Sequence, residues 1–382
     1  MIVWGGVASG VYLGDGARYN PTANRWSVMS ENGAPSPRVD LVSVWTGSEM
    51  IVWGGEAPSL RNDGARYDPT TDTWSPMSQV GAPTGRIGEV ALWSGSELLV
   101  WGGNGGRLAD DGDGARYDPR TDAWTPISMS GAPAPRWAAT AVWTGPEMIV
   151  VGGSNVRFGQ PPDGAAYNPA TDTWRALAPV NLPVFPKSVG VKSVWTGSRM
   201  LLWDGEVGVA YDPQADQWTA ISSDTGVARR TQFNLIWTGQ EMIEWGRFRR
   251  PGDGPRGGPT YYRDGSRYDP ATDTWAPISA LGAPPPSDSD TAVWTGEQML
   301  IWPTGGGDPG YAYRPYWLTV RQTTQAFGID DAPLFAAQPG ERYRVVELQD
   351  SWALVQLLGD PPALQEWIAI DDHVELSAPT PA

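Results

Sequence analysis

The 382-residue chain has no cysteine, a single histidine and only two lysines, Lys187 and Lys192. Without cysteine there can be no disulfide, no thiolate metal site and no cysteine nucleophile. With His373 as the sole imidazole, a multi-histidine metal centre is impossible. A histidine-centred triad would have to be built on this one residue, which sits beside Asp371 and Asp372 and reads as exposed. Basic charge is scarce as well: 27 basic against 43 acidic side chains leave a net charge of −16. Phosphate neutralisation needs a basic face, so nucleic acid is excluded as the main partner. No stretch reaches the roughly 18–20 apolar residues that a membrane-spanning helix requires. A leader is lacking too, because Met1 runs straight into Ile2-Val3-Trp4-Gly5-Gly6, the middle of a repeat. The expectation is a start cut short, with any export signal lost. The acidity is compatible with an extracytoplasmic (periplasmic, secreted or cell-surface) protein without by itself assigning a compartment, and the scarcity of lysine is read as that of a high-GC bacterium.

What is abundant is tryptophan, with 22 residues, alongside 47 glycines and 36 prolines. Three landmarks recur in fixed order. The first is V-W-T-G or a near match, at Trp45, Trp93, Trp143, Trp195, Trp237 and Trp294, at spacings between 42 and 57 residues. The second is an apolar run ending in W-G-G, as in Met50-Ile51-Val52-Trp53-Gly54-Gly55. The third is Y-D-P-x-T-D-x-W, with Tyr19, Tyr67, Tyr117, Tyr167, Tyr211 and Tyr268 each seven residues before a tryptophan. Each unit reads as four short antiparallel strands, A to D, with tight A–B and C–D turns and no 3.6-residue apolar period. Eighteen of the tryptophans occupy the same three repeat positions, which favours packing between neighbouring sheets over ligand contact.

The glycine doublet followed by tyrosine and tryptophan resembles the Kelch repeat over roughly residues 1–316. That resemblance implies an all-β, Kelch-type β-propeller with one blade per repeat. Strand B and C signatures occur seven times and strand A six times. Seven blades are favoured, the first without its inner strand, and the last is expected to end on a strand D around Tyr316-Trp317-Leu318. Six blades are the alternative. Beyond residue 317, Gly340-Glu341-Arg342-Tyr343, Trp352-Ala353-Leu354-Val355 and Glu366-Trp367-Ile368 resemble a bacterial SH3-like barrel. The expected domains are therefore 1–317, the propeller, and 318–382, the barrel with a short disordered tail.

The A–B and C–D turns hardly vary, whereas the B–C connections range from Gly205-Glu206-Val207 to the long stretch between Arg247 and Asp264. Variable loops on a rigid scaffold are where binding sites gather. On the B–C face an arginine precedes the strand-A tryptophan by seven residues in four repeats, at Arg38, Arg86, Arg136 and Arg230; Ser188 and Ser287 replace it in two. The Kelch resemblance implies that arginines at this position line a pocket for acidic peptides. The long connection adds Arg249, Arg250, Tyr261 and Tyr262. The expected partner is a protein, peptide or acidic glycan at this mouth, held by guanidinium–carboxylate pairing. The competing reading has these arginines bonding loop carbonyls and neighbouring aspartates. Glu89 and Asp290 share a strand-A register and raise an alternative, a sugar epimerase or glycoside-cleaving enzyme working with channel carboxylates. No acid–base pair stands out from the repeat, so no catalytic residue is assigned. Asp110-Asp111-Gly112-Asp113 lacks the distal glutamate of a calcium loop and reads as a turn. No metal and no cofactor is expected.

Overall fold

In a computed structural model the chain is all-β, with no helix among the described residues. Those are all residues except 9, 107–111, 155–163, 181–189, 231, 247, 250–259, 263, 279–290, 303–310, 314–316, 321–323, 328–332, 338–341, 350–351, 357–364, 370–373 and 378–382. At residues 248–249, 260–261 and in every strand after residue 310, the backbone alone is described. Two compact units result, Met1–Ile221 and Ser222–Ala382.

The first unit opens with a three-stranded sheet of β1 (Ile2–Ala8), β2 (Val11–Asn20) and β3 (Arg25–Val28). Four complete sheets follow. They are β4 (Val42–Trp45), β5 (Met50–Trp53), β6 (Gly64–Asp68) and β7 (Thr73–Pro76); then β8 (Val90–Trp93), β9 (Leu98–Trp101), β10 (Gly114–Asp118) and β11 (Ala123–Pro126). Next come β12 (Thr140–Trp143), β13 (Met148–Val151), β14 (Gly164–Asn168) and β15 (Thr173–Ala176), and finally β16 (Lys192–Trp195), β17 (Met200–Trp203), β18 (Gly208–Asp212) and β19 (Gln217–Ile221). Consecutive inner strands β4, β8, β12 and β16 run beside one another, as in a propeller. Each B strand lies between A and C within its sheet, and β5, β9, β13 and β17 are buried along their whole length. That environment selects for continuous apolar runs in place of alternation.

The Tyr-to-Trp motif stitches sheet to sheet. Asp72 closes the C–D hairpin with φ +56°, a backbone region that aspartate and asparagine tolerate, and Asn24, Asp122, Asp172, Asp216 and Asp273 repeat it. The Asp72 carboxylate accepts the Tyr67 hydroxyl at 2.6 Å and the Ser30 N–H of the preceding sheet at 3.0 Å. The Trp74 indole N–H donates to the Ser30 carbonyl at 2.8 Å. The same pair of bonds grips Ser78, Ser128, Ala178 and Ser222. The motif tryptophans are thus structural, as their regularity implied.

The second unit has a sheet of β20 (Asn234–Trp237), β21 (Met242–Trp245), β24 (Gly265–Asp269) and β25 (Thr274–Ile278), with the small ribbon β22 (Phe248–Arg249) and β23 (Thr260–Tyr261) inside its B–C connection. A three-stranded sheet follows, of β26 (Thr291–Trp294), β27 (Met299–Trp302) and β28 (Tyr311–Tyr313). Among the described residues six sheets therefore possess an inner strand, which is the six-blade arrangement held as the alternative; the favoured count of seven included the β1–β3 sheet, for which no inner strand is described. The strand D expected around Trp317 is also corrected. β29 (Trp317–Val320) pairs with β32 (Arg342–Gln349) and β35 (Val374–Ser377) and so belongs to the C-terminal sheet. That sheet also holds β30 (Thr324–Phe327), β31 (Pro333–Ala337), β33 (Trp352–Gln356) and β34 (Gln365–Ala369).

Candidate functional site

The four repeat arginines are brought to equivalent places, and all four are fully buried. Arg38 shows what holds them. Its Nε donates to the Ser36 carbonyl at 2.9 Å. Nη1 donates to the carbonyls of Gly54 at 3.0 Å and Asp63 at 3.1 Å, and to Asp63 Oδ1 at 3.0 Å. Nη2 reaches Ser36 Oγ and Asp63 Oδ2, both at 2.9 Å. One guanidinium thus ties the D–A connection to both roots of the B–C connection in its own sheet. Its backbone faces the other way: the Arg38 carbonyl accepts Gly6 N–H at 2.9 Å, and its N–H donates to Leu13 O at 3.1 Å. Arg38 is therefore a cross-brace between consecutive blades, and the Arg136 carbonyl likewise accepts the Gly103 N–H of the preceding sheet at 2.8 Å.

Arg86 repeats the pattern on Thr84, Gly102 and Asp113, and Arg136 on Ala134 and Gly152. In the second unit Arg230 donates to the Asp264 carbonyl at 2.8 Å and to its Oδ1 at 3.1 Å. Its Nε lies 3.7 Å from Glu244 Oε1, and the Tyr262 ring stacks over it at 4.9 Å. Burial raises the Asp63 pKa, but the hydrogen bonds and charge of Arg38 outweigh it and hold the carboxyl below its usual value.

These contacts correct the expectation that the four arginines line an open anion pocket. A fully buried guanidinium must satisfy its donors internally, and loop carbonyls plus an aspartate at the strand-C root do so. The competing reading, loop carbonyls and neighbouring aspartates, is the one the geometry follows. The aspartates Asp63, Asp113 and Asp264 are the residues that the sequence reading missed, although a signal for them is present. Repeats with the arginine have aspartate before strand C, at Asp63, Asp113, Asp163 and Asp264. Repeats with Ser188 and Ser287 have Val207 and Pro309 there.

Of the remaining predicted residues, Tyr262 is half-buried against Arg230, the backbone of Arg249 pairs with Thr260 and that of Tyr261 with Phe248 in the β22–β23 ribbon, and Arg250 lies outside the described residues. Glu89 is nearly buried, its Oε1 3.1 Å from where a Cβ on Gly54 would sit. Asp290, Ser188, Ser287, His373 and Asp110-Asp111 lie outside the described residues. Among the described residues no group of three or more acidic, histidine or cysteine side chains is placed to hold a metal ion. No helix among them is long and apolar enough to cross a membrane.

The B–C connections, residues 56–62, 104–112, 154–162, 206–207 and 247–263, differ in length and sequence. The family model described as the KLHDC2/KLHL20/DRC7 Kelch-repeats domain matches residues 1–205. No curated protein matches the chain.

Proposed function

The chain belongs to the Kelch-repeat family, and from that premise we propose that it is a non-catalytic interaction scaffold whose B–C connections bind an acidic segment of a protein partner. Kelch propellers commonly serve as protein-interaction scaffolds. The observation that carries the reading is the arginine brace. Where the arginine is present it ties the roots of the B–C connection to one another, so that loops of different length and sequence are displayed from rigid positions. Such preorganisation lowers the ordering cost of binding.

With Arg38, Arg86, Arg136 and Arg230 spent internally, the ligand-facing charge falls to the longest connection. Its sequence supplies Arg247, Arg249, Arg250, Arg256 and Arg263, with Tyr261 and Tyr262 among them. Guanidinium groups interleaved with aromatic rings suit carboxylate-bearing peptides. The C-terminal segment, with its SH3-like motifs, would tether the scaffold to a second surface.

A fluorescence-polarisation screen of the full chain against acidic and neutral peptides tests this. The expected hit is acidic and salt-sensitive. Substituting Arg249→Gln and Arg250→Gln together weakens it about tenfold or more while the melting temperature stays put. Undiminished binding by that double variant, or a preference for neutral peptides, overturns the proposal.

A further inference from the structure

Eighteen of the 22 tryptophans occupy the three repeat positions, and before residue 317 only Trp137 stands outside them. It follows the repeat arginine, a place held by Val39, Ile87, Val189 and Thr231 in four other repeats. Both neighbours of Trp137 are pinned to the preceding sheet. The Arg136 carbonyl accepts the Gly103 N–H at 2.8 Å, and the Ala138 N–H donates to the Gly88 carbonyl at 2.7 Å. Trp137 itself exchanges both main-chain bonds with Ser154, at 3.0 and 2.9 Å. Ala138 holds φ +52°, a left-handed conformation that alanine adopts only at a cost. Strain of this kind persists where surrounding contacts over-determine it, and it gathers at ligand sites.

The indole lies on Gly88, where an added Cβ would meet Trp137 Cε3 at 3.4 Å. Gly88 is exposed and Trp137 only half-buried, whereas the motif residues Trp74 and Trp124 are buried with their indole N–H bonded to a carbonyl. Among the described residues the Trp137 indole N–H meets no acceptor. An aromatic face with an unspent donor at its edge suits a ligand that is apolar on one side and polar at its rim. The bordering groups are neutral. Ser154 pairs with Trp137, and Asn104 follows Gly103; the Asn104 Oδ1 accepts the Gly106 N–H at 2.8 Å, so Nδ2 remains as a donor. Arg136 is fully buried and donates to the carbonyls of Ala134 and Gly152, while the residue after Gly88 is an acid, Glu89. That setting disfavours an anion and favours a neutral polyol.

We propose that Trp137 is the platform of a saccharide subsite beside the start of inner strand β12. The C–H face of a neutral pyranose lies on the indole. Hydroxyls at the sugar's rim accept from Trp137 Nε1 and Asn104 Nδ2 and donate to Ser154 Oγ. The main-chain bonds of Arg136 and Ala138 hold the ring in place before the ligand arrives, which lowers the ordering cost of binding. This subsite belongs to the first unit and uses no guanidinium, so it is independent of the acidic-peptide reading of the 247–263 connection.

The test titrates the full chain with cellohexaose, maltohexaose and chitohexaose by isothermal calorimetry, at sugar concentrations up to about 10 mM. The expected result is saturable binding of at least one of the three. Trp137→Val, a change to the side chain that the second sheet carries at Val39, weakens that binding about tenfold or more at unchanged melting temperature. Trp137→Phe keeps part of it. In proton–nitrogen spectra the indole signal lost from Trp137→Val identifies the Trp137 N–H, and in the unsubstituted chain that signal shifts as sugar is added. The Arg249→Gln, Arg250→Gln variant binds the sugar undiminished and Trp137→Val still takes acidic peptides, so failure of one reading is distinguishable from failure of the other. Three results overturn the proposal: no binding by any of the three sugars, binding unaltered by Trp137→Val, or binding that leaves the Trp137 indole signal unmoved. If Trp137→Val unfolds the chain, Trp137→Phe and the indole signal decide.

Discussion

Arg38 concentrates the physics of this protein in one side chain. A buried guanidinium is tolerable only while its donors are satisfied, and removing it strands the carbonyls of Gly54 and Asp63 together with the Asp63 carboxylate. Arg38→Met is therefore expected to cost about 3–5 kcal/mol, measured by chemical denaturation. Asp63→Asn should cost less, about 1–2 kcal/mol, because the aspartate is 34 % exposed and water screens what remains. A second residue-scale prediction concerns the motif tyrosines. Burial first, and then the hydrogen bond to Asp216, push the Tyr211 hydroxyl up to about 12 against the opposing pull of Arg175. Tyr67, Tyr117 and Tyr167 are raised for the same first reason, each bonded to its aspartate. A raised folded pKa gives stability that is fully present below the ordinary value of 10.0 and lost as pH rises through the folded one. Absorbance titration near pH 11 should find these four hydroxyls still protonated, with ionisation and unfolding arriving together above that.

At the scale of the strand and its turns, glycine separates two kinds of constraint. Gly47, in the A–B turn, has φ +103° and nothing within 4 Å of a built Cβ, so only its backbone conformation demands glycine. Gly55, the second of the doublet, has φ +88° and would place a Cβ 2.5 Å from the Val39 carbonyl. Gly47→Ala should cost about 1–2 kcal/mol from left-handed strain alone. Gly55→Ala should cost distinctly more, because the D–A connection must also move and Arg38 sits within it. Similar losses for the two variants, read from denaturant midpoints, would show that the close approach has little weight. Legibility divides along the same line. The doublet is obvious in the sequence, but the reason for its second member lies in a segment sixteen residues earlier.

For the molecule as a whole, acid sets the limit. Hydrogen bonds from Tyr67 and Tyr211 hold Asp72 and Asp216 below the usual aspartate value of 3.8, and Arg38 does so for Asp63 against the effect of burial. Depressed carboxyl groups contribute stability that is present above 3.8 and lost as pH falls through their folded values. Melting temperature should therefore hold steady down to about pH 4 and fall steeply below it. The Asp→Asn change at position 63 should flatten part of that slope; an unchanged slope would remove the brace as a source of acid sensitivity.

The repeat itself carried most of the architecture. Seven-residue spacing from tyrosine to tryptophan, glycine doublets and T-G turns are local chemistry, and local chemistry recurring in order leaves few folds open. The arginines were equally visible, and the loss of aspartate wherever Ser188 or Ser287 replaces arginine marked a partnership. Direction was not visible. Whether a guanidinium turns outward to a ligand or inward to Gly54 and Asp63 depends on a strand-C root some 25 residues away, brought alongside only when the sheet closes. The blade count and the fate of Trp317 were likewise settled by pairing, because backbone hydrogen bonds, unlike side-chain patterns, leave no mark in the sequence.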